Sequence, residues 1–182
     1  MSLIRLVRHG RAAAGFDADH DPGLDELGRA QAAAMAAHLA PHGPMPIVVS
    51  PLRRTRETAA ALEAAWGVVA TVDERVAEIP SPTEELAARG AWLSQAMAGT
   101  WHDLGPSYLG WREALVEAVL ALRADTVVVS HFVAINAIVG RAVGDDRVMH
   151  APIDNCSITT VDTSEGRLVV TELGRTAVTE VN

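Results

Sequence analysis

Ile47-Val48-Val49-Ser50-Pro51-Leu52-Arg53-Arg54-Thr55-Arg56-Glu57-Thr58-Ala59 passes from a short β-branched run straight into a helical pattern. Three consecutive apolar residues, closed on one side by Pro46, read as a fully buried strand. Ser50 followed by Pro51 reads as an N-cap with proline at the first helical position, opening a helix to about Trp66. Working outward, Leu3 to Val7 predicts a first strand and Val68 to Val72 a third. Asp25 caps a helix to about Leu39, with Leu27, Ala34, Met35 and Leu39 on one side, closed by Pro41, Gly43, Pro44 and Pro46. Glu84 to Met97 reads as a helix, Gly99 to Gly110 as a loop carrying Trp101 and His102, and Trp111 to Leu122 as a helix. Thr126 to Ser130 is a strand, Val133 to Val143 a helix, and Cys156 to Val161 and Arg167 to Leu173 two final strands. Strands alternating with helices predict an α/β fold: three layers, α/β/α, with a mostly parallel central sheet and helices on both faces.

Composition narrows the chemistry. The chain has 182 residues, the length of one domain, here with a cap-like segment at about 79–110. All 15 basic residues are arginine, so a lysine-bearing phosphate loop and Schiff-base or pyridoxal-phosphate chemistry are excluded. With 23 acidic residues the formal net charge is −8, which argues against nucleic acid as a partner. The single cysteine, Cys156, forbids an internal disulfide and reads as a small core residue. No stretch is apolar enough for a membrane span, and Met1-Ser2-Leu3-Ile4-Arg5 carries no signal-peptide pattern, so a cytoplasmic protein is expected. Asp17-Ala18-Asp19-His20-Asp21 opens like a calcium loop, but Pro22 stands where that loop needs glycine, and Gly28 where it needs glutamate.

In open α/β sheets, sites form beyond the carboxyl ends of the strands. The first strand runs into Arg8-His9-Gly10, the second into Ser50 and Arg53-Arg54, the fourth into Ser130-His131. Two histidines and three arginines thus reach one sheet edge, with helix N-termini adding free amides. This is an oxyanion site suited to a phosphoryl dianion, and a phosphate or sulfate ion could fill it.

These residues carry a resemblance. Leu6-Val7-Arg8-His9-Gly10, Ser50-Pro51-Leu52-Arg53-Arg54-Thr55-Arg56-Glu57-Thr58-Ala59 and Val129-Ser130-His131 are similar, in order, to the motifs of the histidine phosphatase superfamily, also called phosphoglycerate mutase-like. Leu24 to Ala32 and Asn155-Cys156-Ser157-Ile158 support the match. The resemblance implies that His9 is the nucleophile, forming a phosphohistidine without metal or other cofactor. It implies that Arg8, Arg54 and His131 bind the phosphoryl oxygens, and that Glu78, just past the third strand, donates the proton to the leaving oxygen. Asp73 and Glu74 compete with Glu78, as do Asp17, Asp19 and Asp21 in the first loop. The superfamily pattern of an acidic or amide residue and then Ser or Thr after Arg-His-Gly is replaced by Arg11 and Ala12.

The expected activity is hydrolysis of a small phosphorylated metabolite. Rival expectations are mutase-type transfer, a protein phosphohistidine phosphatase and a non-catalytic phosphoryl-binding module. Mutases of the superfamily carry a larger insertion, and phosphohistidine phosphatases lack a segment as long as 73–110. Trp92, Trp101 and Trp111 read first as packing for a cap over the sheet edge; Arg11, Arg89 and Trp101 are candidates for an anionic or ring-bearing substrate, and His20 or His102 for the entrance. A monomer and a homodimer both fit the sequence.

Overall fold

The computed structural model describes residues 2–176. Six strands form one sheet in the order β3-β2-β4-β1-β5-β6. They are β1 (Leu3–Arg8), β2 (Ile47–Val49), β3 (Thr71–Val72), β4 (Thr126–Ser130), β5 (Ile158–Asp162) and β6 (Val169–Glu172). β1, β2, β3 and β4 run parallel; β5 is antiparallel to β1, and β6 to β5. The helices are α1 (Glu26–Leu39), α2 (Arg53–Trp66), α3 (Leu86–Met97), α4 (Trp101–Leu104), α5 (Pro106–Leu120) and α6 (Phe132–Val143).

The two faces of the sheet are read from β4, where every residue is buried and side chains alternate. Val127 and Val129 pack with Val7, Ile47, Met35, Leu39 and Leu62, the side of α1 and α2. Val128 packs with Ile4, Leu6, Leu115, Val119, Ile135 and Ile138, the side of α5 and α6. The result is the expected three-layer arrangement.

Several elements depart from the sequence reading. The cap of α2 is Leu52, because the Ser50 hydroxyl is engaged elsewhere. Leu27 is 44% exposed and Ala34 is also at the surface; α1 buries Gly28, Ala32, Met35, Ala36 and Leu39 instead. The segment read as a loop from Gly99 holds α4 and the first turn of α5, since Pro106 opens that helix five residues before Trp111. Gly105, at φ +92°, is the hinge between the two helices. β3 keeps only Thr71 and Val72 of its predicted run, on the edge of the sheet.

Register brings the strand ends together. Arg8 lies opposite Ser130, and Val49 opposite Val129. The residues that follow, His9, Ser50 and His131, are therefore neighbours at the carboxyl edge.

Candidate active site

His9 is held by its own backbone. Its amide donates to the Ser130 carbonyl at 3.0 Å, and its carbonyl accepts from Asn155 Nδ2 at 2.9 Å. The loop it opens lies hard against α1: a Cβ on Gly10 would stand 2.5 Å from the Gly28 carbonyl oxygen, and one on Gly28 would stand 2.1 Å from that of Arg11. The Gly10 amide donates to Thr58 Oγ1 at 3.0 Å, tying the loop to α2 as well.

The ring is fixed in one tautomer. Nδ1 donates to the Gly10 carbonyl at 2.7 Å, an acceptor only, so Nδ1 carries the hydrogen. Nε2 accepts from Arg54 Nε at 3.2 Å and therefore presents its lone pair. Burial, then the charges of Arg54 and Arg8, push the His9 pKa well below its ordinary value, leaving the imidazole neutral.

Two buried arginines flank it. Arg8 donates from Nη1 to the Ile153 carbonyl at 2.8 Å, lies over the Phe132 ring at 5.0 Å, and has no partner for Nε among the described residues. Burial lowers the pKa of both Arg8 and Arg54, with Glu78 the largest opposing influence on each.

His131 completes the group. It is fully buried at the start of α6, its ring 5.3 Å from that of His9, edge to face. Ser50 Oγ meets its Nε2 at 2.7 Å, while Nδ1 has no partner among the described residues. The Leu52 amide donates to Ser50 Oγ at 3.4 Å, and Nε2 is the acceptor within reach of that hydroxyl among the described residues; donation there leaves the ring hydrogen on Nδ1. Burial, followed by Arg54, His9 and Arg8, holds this imidazole neutral too.

Glu78 faces the arginines from the segment after the 3-10 turn Glu74–Val76. Ser130 Oγ donates to the Val76 carbonyl at 2.7 Å, which anchors that segment to the end of β4. The carboxylate accepts from the amides of Ile79 (2.9 Å), Ala134 (3.2 Å) and Val133 (3.3 Å). Those bonds and the Arg54 charge favour the anion, yet burial outweighs them and the pKa is raised.

Arg8, His9, Arg54, Glu78, Phe132 and Val133 line a cavity of about 70 Å³, closed by Ala12, Ala14, Phe16, Asp19 and Pro22 of the first loop and by Leu93 and Met97 of α3. Larger hollows of about 600 and 650 Å³ lie by α2 and β3 and by Cys156 and Glu172; neither reaches His9.

A profile of the histidine phosphatase superfamily (branch 1) matches residues 4–176. The chain belongs to this superfamily. It is 34% identical over 112 residues to a glucosyl-3-phosphoglycerate phosphatase of Mycobacterium tuberculosis, covering 59% of this chain and 47% of the relative, so it spans about half that relative's length. Two solved structures share the fold. A mycobacterial glucosyl-3-phosphoglycerate phosphatase in complex with VO3 is 24% identical, with 95% of this chain and 99% of that one covered, at TM-score 0.71. An Entamoeba histolytica phosphoserine phosphatase in complex with 3-phosphoglyceric acid is 22% identical, with 97% and 98% covered, at TM-score 0.75.

Within this superfamily member, Arg8, His9, Arg54, Glu78 and His131 all converge, as the sequence suggested. The rivals of Glu78 mostly do not. Asp73 is bound by Arg75 at 2.6 Å and Glu74 is exposed. Asp17 packs against Gly90, and Asp21 accepts from the Arg53 amide at 2.8 Å. Asp19 alone shares the cavity wall, at its exposed rim.

Two substrate candidates lie elsewhere. Arg11 is turned to Asp25, with Nε 2.5 Å from its carboxylate, and Trp101 is wholly buried against Trp111, ring centroids 5.7 Å apart. Trp101 opens α4 and belongs to the core cluster that holds Leu115, Val119 and Val148. His102 is exposed and outside the cavity lining, whereas His20 meets Arg89 beside the first loop. Sequence reasoning missed Ser50, Ser130 and Asn155 as supports of the histidines. For Ser50 and Ser130 the available signal was their position at strand ends; Asn155 lies in the turn before β5.

Among the described residues, no three His, Cys, Asp or Glu side chains are arranged to hold a metal ion, and no helix is long and apolar enough to cross a membrane.

Proposed function

We propose that the protein is a phosphomonoesterase that passes the phosphoryl group of a small metabolite through His9 to water. The observation that carries this reading is the tautomer of His9: Nε2 is a free-base nitrogen facing Arg54, in the field of Arg8 as well, with the ring hydrogen committed to Gly10. Nε2 attacks phosphorus in line, the phosphorus–oxygen bond to the alcohol breaks, and protonated Glu78 gives its proton to the departing oxygen. Arg8, Arg54 and the Nδ1 hydrogen of His131 hold the other oxygens, where charge accumulates in the transition state. Glu78, now a carboxylate, takes a proton from water, whose oxygen attacks the phosphohistidine and releases His9 and phosphate. No step calls on a metal. Residues 79–110 and the first loop serve as the cap that admits the alcohol portion.

The test is hydrolysis of p-nitrophenyl phosphate with and without EDTA. Turnover that is indifferent to EDTA and lost in His9→Ala is expected. Activity that needs metal and survives His9→Ala would overturn the proposal.

A further inference from the structure

Among the described residues, Arg89 is the one strongly buried arginine that the mechanism leaves unused. It is 9% exposed, as deep as Arg8 and Arg54. On α3 it precedes Leu93 and Met97 at intervals of four, so it extends the helix face that walls the cavity. Its guanidinium lies 4.2 Å over the ring of Phe16, which is itself part of the wall. Nη1 contacts His20 Nδ1 at 2.5 Å, and Nε has no partner among the described residues.

A charge so buried is normally matched by a carboxylate or a dense hydrogen-bond set. Arg89 has neither. Glu84 is drawn to His20, 3.6 Å away, and Asp17 lies against Gly90. The charge of Arg89 also disfavours that of Arg54, so that cation offers it no partner. The phosphoryl dianion answers Arg8 and Arg54. One positive charge remains, one aromatic ring back from the cavity wall, with its buried Nε unpartnered among the described residues. The edge that carries Nε offers parallel N–H donors matched to a planar carboxylate.

We infer that Arg89 receives a carboxylate on the alcohol portion of the substrate, so that the substrates are phosphorylated carboxylic acids. This rests on the phosphomonoesterase reading above and names its substrate class. Phe16 stacks on the guanidinium and keeps its plane fixed, while His20 occupies the opposite corner, so the acid is met by one oriented edge.

The probes are 3-phosphoglycerate and glycerol 3-phosphate, which differ by a carboxylate against a hydroxymethyl group. Calorimetric titration in a His9→Ala background removes turnover. The carboxylated ester should bind roughly ten- to a hundredfold more tightly, the span of a charged hydrogen-bonded pair. Adding Arg89→Gln should erase that preference and leave glycerol 3-phosphate affinity within about twofold, an internal check that the site is intact. Arg89→Lys should restore part of it, because the charge returns without the fork. Equal affinities with Arg89 present, or parallel losses for both esters in Arg89→Gln, would overturn the inference. An Arg89-dependent preference in a protein without turnover would support the carboxylate site and sink the catalytic reading. His9-dependent turnover without the preference would do the reverse.

Discussion

Ser50 shows how one hydroxyl can set the chemistry of a histidine it follows by 81 positions in reverse. Its Oγ lies 2.7 Å from His131 Nε2, in a region where neither group meets solvent. By donating there, the hydroxyl leaves the ring hydrogen on Nδ1, the nitrogen proposed to meet phosphate. Ser50→Ala should therefore lower kcat about tenfold, with the circular-dichroism spectrum unchanged, because one oriented hydrogen bond is lost. Ser50→Thr, which keeps the hydroxyl, should recover much of the rate; a Ser50→Ala enzyme at full activity would show that the tautomer is set otherwise. The sequence offered Ser50 as a helix cap, a sound reading of Ser-Pro before a helical run. It failed because a helix amide and the His131 ring compete for the same hydroxyl, and only the register of β2 on β4 decides between them.

Among the elements, the loop from His9 to Ala12 and the first turn of α1 act as one unit. Gly10 and Gly28 face each other with no room for a methyl group on either. Asp25 caps α1 by accepting from the Gly28 amide at 2.7 Å, which draws the helix start against the loop. Gly28→Ala would drive a methyl into the Arg11 carbonyl and push the loop outward. We expect a loss of about 1–3 kcal/mol in thermal denaturation, with a larger fall in turnover than at Ala30, an exposed position on the same helix. A Gly28→Ala protein as stable and active as the parent would refute the unit. The strands, α1, α2 and α6 were legible as elements because apolar runs and breakers marked them, although the α2 cap, part of the α1 face and the extent of β3 were misread. Residues 99–110 were not, because Gly99 and Gly105 read as breakers, whereas Gly105 joins two helices and Pro106 starts the second. Trp101, read first as cap packing and second as a substrate wall, is core, so the packing reading holds and the substrate reading does not.

Across the whole molecule, the site is a cost that folding carries. His9 and His131 are both buried and neutral, their pKa values held well below the ordinary 6.5. In the unfolded chain both titrate near that value, so as pH falls below it the unfolded state takes up protons first. Stability from the neutral pair is complete above about pH 6.5 and is lost as pH falls toward the lowered folded values, by about 1.4 kcal/mol for each unit of separation per histidine. Glu78, raised from its ordinary value, acts in the opposite sense. The melting temperature should therefore fall between pH 7 and pH 5, more steeply than in a His9→Gln, His131→Gln double variant. Parallel slopes would show that the histidines are solvated.

The most direct test of the account is to stop the reaction part-way. Rapid quenching in alkali after mixing with 32P-labelled substrate should leave a phosphoryl group that is stable to base, labile to acid, and carried on the peptide that contains His9. Glu78→Gln should raise its yield if the water step slows more than its formation. Turnover with no acid-labile label on that peptide, or label that persists in His9→Ala, would contradict the phosphohistidine mechanism.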